Sequence, residues 1–270
     1  MDTPVSLDSC HTILKTALQA SAPETWPLGP FALGGPRPVC PAVGQVELGL
    51  WFASLVAPLL RDKVEQAEAR QVLEQVRGFL AERGRVPSEE WNRYAHGGTM
   101  QSRMGLMYQR LQACSESVRG ESEALAVARR AAGAAASLCR GKDDVVFVHL
   151  NASVGRVVRL LEGAAGGALM PLRDFLAELD ARILRLECSA AIAPLVPGGA
   201  VPDIAEVLWR GDGGKGRVLH FIARLSDGTY GLVTKLGRRW AWVHGNRDEV
   251  LASVPDTLFP EAARAVMKED

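Results

Sequence analysis

Several things are scarce in this sequence, and each shortage removes a class of answer. Only six lysines occur (Lys15, Lys63, Lys142, Lys215, Lys235 and Lys268), so the other 25 of the 31 basic residues are arginine. Net charge is absent, because 31 acidic residues balance them. No overall field therefore draws the chain to nucleic acid or an anionic membrane, and such binding needs a local patch. The five cysteines, Cys10, Cys40, Cys114, Cys139 and Cys188, are odd in number and scattered. That excludes a tight disulfide framework and a zinc knuckle. The N-terminus lacks the basic and apolar regions of a signal peptide, so a cytoplasmic, reducing compartment is expected. The most apolar run, 46–60, is shorter than the roughly 20 residues of a membrane span and predicts a buried helix, with no span. The histidines His11, His96, His149, His220 and His244 are isolated, with no pair one helical turn apart. Neither a metal nor a cofactor is expected.

What is present is enough apolar material, 47 % of 270 residues, for one large domain or two small ones. The pattern predicts an α+β protein in three stretches. Residues 1–44 hold a helix, with Leu7, Cys10, Leu14 and Leu18 on one stripe, followed by an arm too rich in Pro and Gly for regular structure. Residues 45–195 form a mostly helical body with one or two strands. Its first long helix is interrupted at Pro58, which lacks a helical donor and clashes with the preceding turn. A short helix carrying Trp91 and Tyr94 is expected over 87–98. A helical region from Thr99 to Cys139 is broken near Gly120 and rich in alanine beyond it, which permits close helix packing. The short apolar run 144–150 reads as a buried strand, with Asn151 or Ser153 capping a helix behind it. Pro171 opens a further helix with Phe175, Leu176, Leu179, Ile183 and Leu186 inward.

Residues 203–270 read as a small antiparallel β meander with flanking helices. Alternation predicts strands over 205–209, 217–225, 230–236 and 239–244, followed by helical pieces near 248–253 and 260–267. Ser226-Asp227-Gly228-Thr229 is a hairpin signal in which Gly228 supplies the positive φ, and Leu236-Gly237-Arg238 marks a second turn.

Four groupings are candidates for chemistry. In the meander, Arg217, Arg224, Lys235, Arg238, Arg239 and Arg247 surround Trp240 and Trp242, a pattern that can hold phosphates while rings stack on bases. The competing reading is that the indoles cover the core and the arginines form a solvated rim. Cys188 on a helix and His220 on a strand suit a thiol hydrolase if an imidazole reaches the thiol; otherwise Cys188 is a packed core residue. The histidines and cysteines offer no spaced metal set, so no metal residues are assigned. The turn expected over 149–153 resembles a ligand-binding strand-to-helix junction, but it lacks the glycines that let a phosphate approach. No catalytic residue is assigned. A non-enzymatic interaction or assembly protein is expected, binding a protein partner or itself. Nucleic-acid binding through the hairpin is the alternative, and a cysteine-dependent hydrolase the second alternative.

Overall fold

The computed structural model of the protein describes residues 42–85, 103–163, 170–196, 201–212, 219–236, 239–253 and 265. The expected helix before residue 20, most of the proline-rich arm and the short helix near Trp91 lie outside these. So does nearly all of the helical piece expected over 260–267. The fold is α+β and mostly helical, with a four-stranded antiparallel sheet. Of the described residues, those from 42 to 176 form one compact unit and those from 177 onward another.

The first unit contains α1 (Ala42–Val56), α2 (Lys63–Arg85), α3 (Arg103–Ser115), α4 (Glu123–Cys139) and α5 (Asp143–Gly163). It is built round α4, which packs against the other four. Small side chains make this arrangement feasible, since Ala131, Ala132, Ala134 and Ala135 are all buried and let neighbouring backbones approach. At Gly133 a Cβ would lie 2.6 Å from Cε1 of His149 on α5, so this position accepts no side chain without displacing the ring.

Pro58 divides the first helical stretch as its chemistry dictates. Residues Ala57–Leu59 form a single 3-10 turn, and Leu60 is extended. Asp62 then restarts the helix by accepting the backbone N–H groups of Val64 at 2.8 Å and Glu65 at 3.0 Å. The break near Gly120 is equally local. Gly120 has φ +84°, and the Ser122 hydroxyl accepts the Leu125 N–H to cap α4.

Residues 144–150 are not a strand, and among the described residues the body has no strand. They form the first two turns of α5, which places Asn151 and Ser153 in the helix interior rather than at its N-terminus. Buried Val146, Leu150, Val154, Val157 and Leu161 recur at three or four residues, a helical period hidden within the continuous apolar run. Ser153 instead donates its hydroxyl to the carbonyl of His149 at 2.9 Å. The helix starts where it does because α4 closes with a Schellman turn. Gly141 has φ +65°, its N–H donates to Leu138 and the Lys142 N–H donates to Ser137, both at 3.0 Å. Asp143 and Asp144 then place negative charge in the first turn of α5.

Helix α6 (Leu172–Ile192) crosses the division between the units, and its N-terminal part, with Phe175 stacked on Trp51 at 5.3 Å, belongs to the first. Phe175, Leu176, Leu179 and Ile183 are buried as the periodicity requires, whereas Leu186 is half-buried. The second unit continues with β1 (Ile204–Asp212), β2 (Leu219–Leu225), β3 (Tyr230–Leu236), β4 (Arg239–Gly245) and α7 (Arg247–Ala252). The strands pair antiparallel in the order β1-β2-β3-β4. The C-terminal half of α6 covers one face through Cys188 and Ile192, which pack on Phe221, Ala223, Leu225 and Val233. Helix α7 covers the other through Val250, which packs with Ile222 and Leu232.

Candidate functional site

The hairpin between β2 and β3 folds as its turn residues specify. Leu225 donates its N–H to the Thr229 carbonyl at 2.8 Å, and Gly228 at φ +84° closes the three-residue loop. Asp227 stiffens it by accepting both the N–H and the hydroxyl of Thr229. These hydrogen bonds hold its carboxyl below the ordinary carboxylate range.

The basic, aromatic residues of this module do not converge. Arg224 is in an exposed ion pair with Glu206 across β1 and β2, at 2.6 Å. Trp242 is half-buried and packs on the α6-facing core, its indole lying over Gly231 where a Cβ would overlap it. Arg247 opens α7. Arg217 and Arg238 lie outside the described residues. Lys235, Arg239 and Trp240 are described by their backbone alone, which pairs Lys235 with Trp240 and Leu236 with Arg239.

Cys188 and His220 are not brought together either. Cys188 packs with the odd-numbered residues of β2, Phe221, Ala223 and Leu225, whereas His220 belongs to the alternate face. There the His220 Nδ1 shares a 3.2 Å hydrogen bond with the Thr234 hydroxyl, both groups being buried. Burial, with a smaller contribution from the carboxylate of Glu187, pushes the Cys188 thiol up to about 12. A nucleophilic thiol needs the opposite shift. Glu187 is itself buried, with Arg210 of β1 at 3.8 Å.

No family model, curated protein or solved structure matches the chain. Among the described residues no group of three His, Cys, Asp or Glu side chains could hold a metal ion.

A site that the sequence did not disclose lies in the helical unit. Glu68, Gln71 and Gln75 from α2, Arg110 and Cys114 from α3, and Arg129 from α4 line a cavity of about 440 Å3. Arg129 forms its floor. Its Nη2 is 2.7 Å from Glu68, its Nε is 2.9 Å from Glu121, and its Nη1 donates to the Cys114 carbonyl at 3.4 Å. The guanidinium therefore ties α4 to α2 and to the end of α3. Its charge is shared between two carboxylates, Glu68 and Glu121, and Arg110 adds a second cation to the lining. Burial raises the pKa of the Cys114 thiol and Arg129 opposes it, leaving a net upward shift. This is chemistry suited to holding helices in register. The only local signal was a pair of arginines, Arg129 and Arg130, interrupting an alanine-rich apolar run.

Proposed function

We propose that the protein is a non-enzymatic interaction or assembly protein, and that the outer side of α1 is the surface that engages a protein partner. One observation carries the reading. Helix α1 is apolar on nearly every side, a composition that normally means complete burial. Only eight of its fifteen residues are buried. On the remaining side Val43, Leu50, Trp51 and Leu55 keep part of their surface in water, around a single acid, Glu47. Glu47 is exposed as a residue, yet desolvation of its carboxyl raises its pKa, as expected of an acid standing in an apolar stripe. Fully burying one such apolar side chain contributes about 1.5–3 kcal/mol, so a few partly exposed ones can anchor an interface.

The stretch Ala42–Leu59 is also long and apolar enough to cross a membrane by length and composition, a test that core helices pass as well. The packing of α1 against α4 and α5 favours the protein-binding reading. Nucleic-acid binding through the hairpin has less support, since Arg224 is paired with Glu206 and Trp242 is committed to the core.

The test is affinity capture with the wild-type chain and with a Leu50→Glu, Leu55→Glu variant, alongside far-UV circular dichroism. The wild type should retain a discrete partner that the folded variant loses. Capture that is unchanged in the variant removes α1 as the surface. Capture of nothing, from a chain that is also strictly monomeric, removes the interaction reading altogether.

A further inference from the structure

The sheet is open, and its two edges differ. On β1 the pairing with β2 is broken by register shifts between Ile204 and Glu206 and between Val207 and Trp209. The Ala205 carbonyl is already taken by Arg185 at 3.2 Å. Bulges and charged residues of this kind are how natural sheets discourage further strands. On β4 the register with β3 runs unbroken through seven pairs, from Tyr230 with Gly245 to Leu236 with Arg239.

The hydrogen-bond phase of the hairpins fixes which groups β4 leaves at its edge. Because Leu225 bonds to Thr229, the bonded pairs between β2 and β3 continue through Ala223 with Gly231 and Phe221 with Val233. Tyr230, Leu232 and Thr234 must then bond to Gly245, Val243 and Ala241 of β4. The N–H and C=O groups of Trp240, Trp242 and His244 consequently point away from the sheet. Among the described residues, no backbone partner outside the sheet meets them. His244 is exposed, and Ala241, Trp242, Val243 and Gly245 are half-buried.

We propose that β4 pairs antiparallel with β4 of a second copy, joining two four-stranded sheets into one across a twofold axis at Trp242. Trp242 would then oppose its own symmetry mate, and Trp240 would oppose His244 of the other copy. Each directly bonded pair supplies two hydrogen bonds, so three pairs give about six. Charge favours this direction. The strand begins at Arg239 and is followed by Arg247, Asp248 and Glu249, one positive charge against one net negative. Antiparallel pairing sets the basic entry of one copy beside the acidic exit of the other, whereas parallel pairing sets like beside like. This self-association deepens the interaction reading but uses a surface on a different unit from α1, so the two can fail separately.

Size-exclusion chromatography with light scattering, at about 0.1 mM chain and below, tests it. The wild type should be dimeric. His244→Pro removes an outward donor that β3 does not use, so a folded monomer is expected. Arg239→Glu, which keeps every backbone group, should weaken the dimer about tenfold and decides the matter if the proline variant does not fold. A monomeric wild type overturns the pairing. So does a dimer that Arg239→Glu leaves intact, and a dimer that loses its self-affinity only with the α1 variant shows that the association runs through α1 instead.

Discussion

Replacing Arg129 with methionine keeps most of the side chain's length and apolar stem while removing the cation between two acids. The arginine side chain is 9 % exposed, and its partners Glu121 and Glu68 are 12 % and 41 % exposed. Glu121 therefore loses its cation and keeps the Val118 N–H at 3.2 Å, whereas Glu68 turns to water. Losing one partner of a buried ion pair costs about 3–5 kcal/mol. The methionine recovers part of that through apolar packing, leaving a net loss of about 2–4 kcal/mol. Glu68→Gln should cost no more than about 1 kcal/mol, since its carboxylate is well solvated. The decisive variant is the double one. With Glu121→Gln added, the carboxylate that lost its cation is gone, so Arg129→Met, Glu121→Gln should be more stable than Arg129→Met alone. Urea unfolding followed by far-UV circular dichroism, with slopes compared among variants, reads these differences. An additive double mutant, or an Arg129→Met protein within about 0.5 kcal/mol of wild type, would refute the account of the cavity floor.

Two further outcomes follow from burial. His149 has its pKa lowered by burial and then by Arg130, and burial likewise lowers that of His220. Each imidazole is thus harder to protonate folded than unfolded. Their contribution to stability is complete above the ordinary histidine value of 6.5 and is lost as pH falls from there through the folded pKa. A His149→Gln protein should therefore lose less stability than wild type between pH 7.5 and 5.5, and parallel losses in the two proteins would contradict the burial argument. With the thiols of Cys139 and Cys188 both pushed up to about 12 and buried, and Cys114 half-exposed, iodoacetamide at neutral pH should modify Cys114 first among these three. Peptide mass spectrometry that finds Cys188 labelled as fast as Cys114 would reopen the thiol-hydrolase alternative.

Local chemistry made much of this fold legible. Pro58 splits a helix, Gly120 separates two, and the Asp227-Gly228 turn sets the register of a hairpin, each through a constraint confined to a few residues. The first turns of α5 resemble a strand in sequence because a run of Val145, Val146, Phe147 and Val148 has no visible period over four residues. The signal that settles it sits upstream, where Gly141 ends one helix and two aspartates begin the next. The cavity was not legible, because Glu68, Arg110 and Arg129 are spread over about sixty positions and meet only through packing. Phase was the hidden variable for Cys188 and His220. The sequence indicates both the helix and the strand, but the parity that puts the thiol and the imidazole on opposite faces depends on which side of the sheet α6 lies.

The central position of α4 has a consequence for synthesis. Helices α1 and α2 leave the ribosome before α4, and the surface that receives their apolar sides is encoded some forty to eighty residues later. Until Cys139 has emerged, Phe52, Val56, Val76 and Phe79 have no helix α4 to pack on. A nascent or prematurely terminated chain in that interval presents those side chains to its surroundings, and is a natural client for chaperones that bind apolar segments.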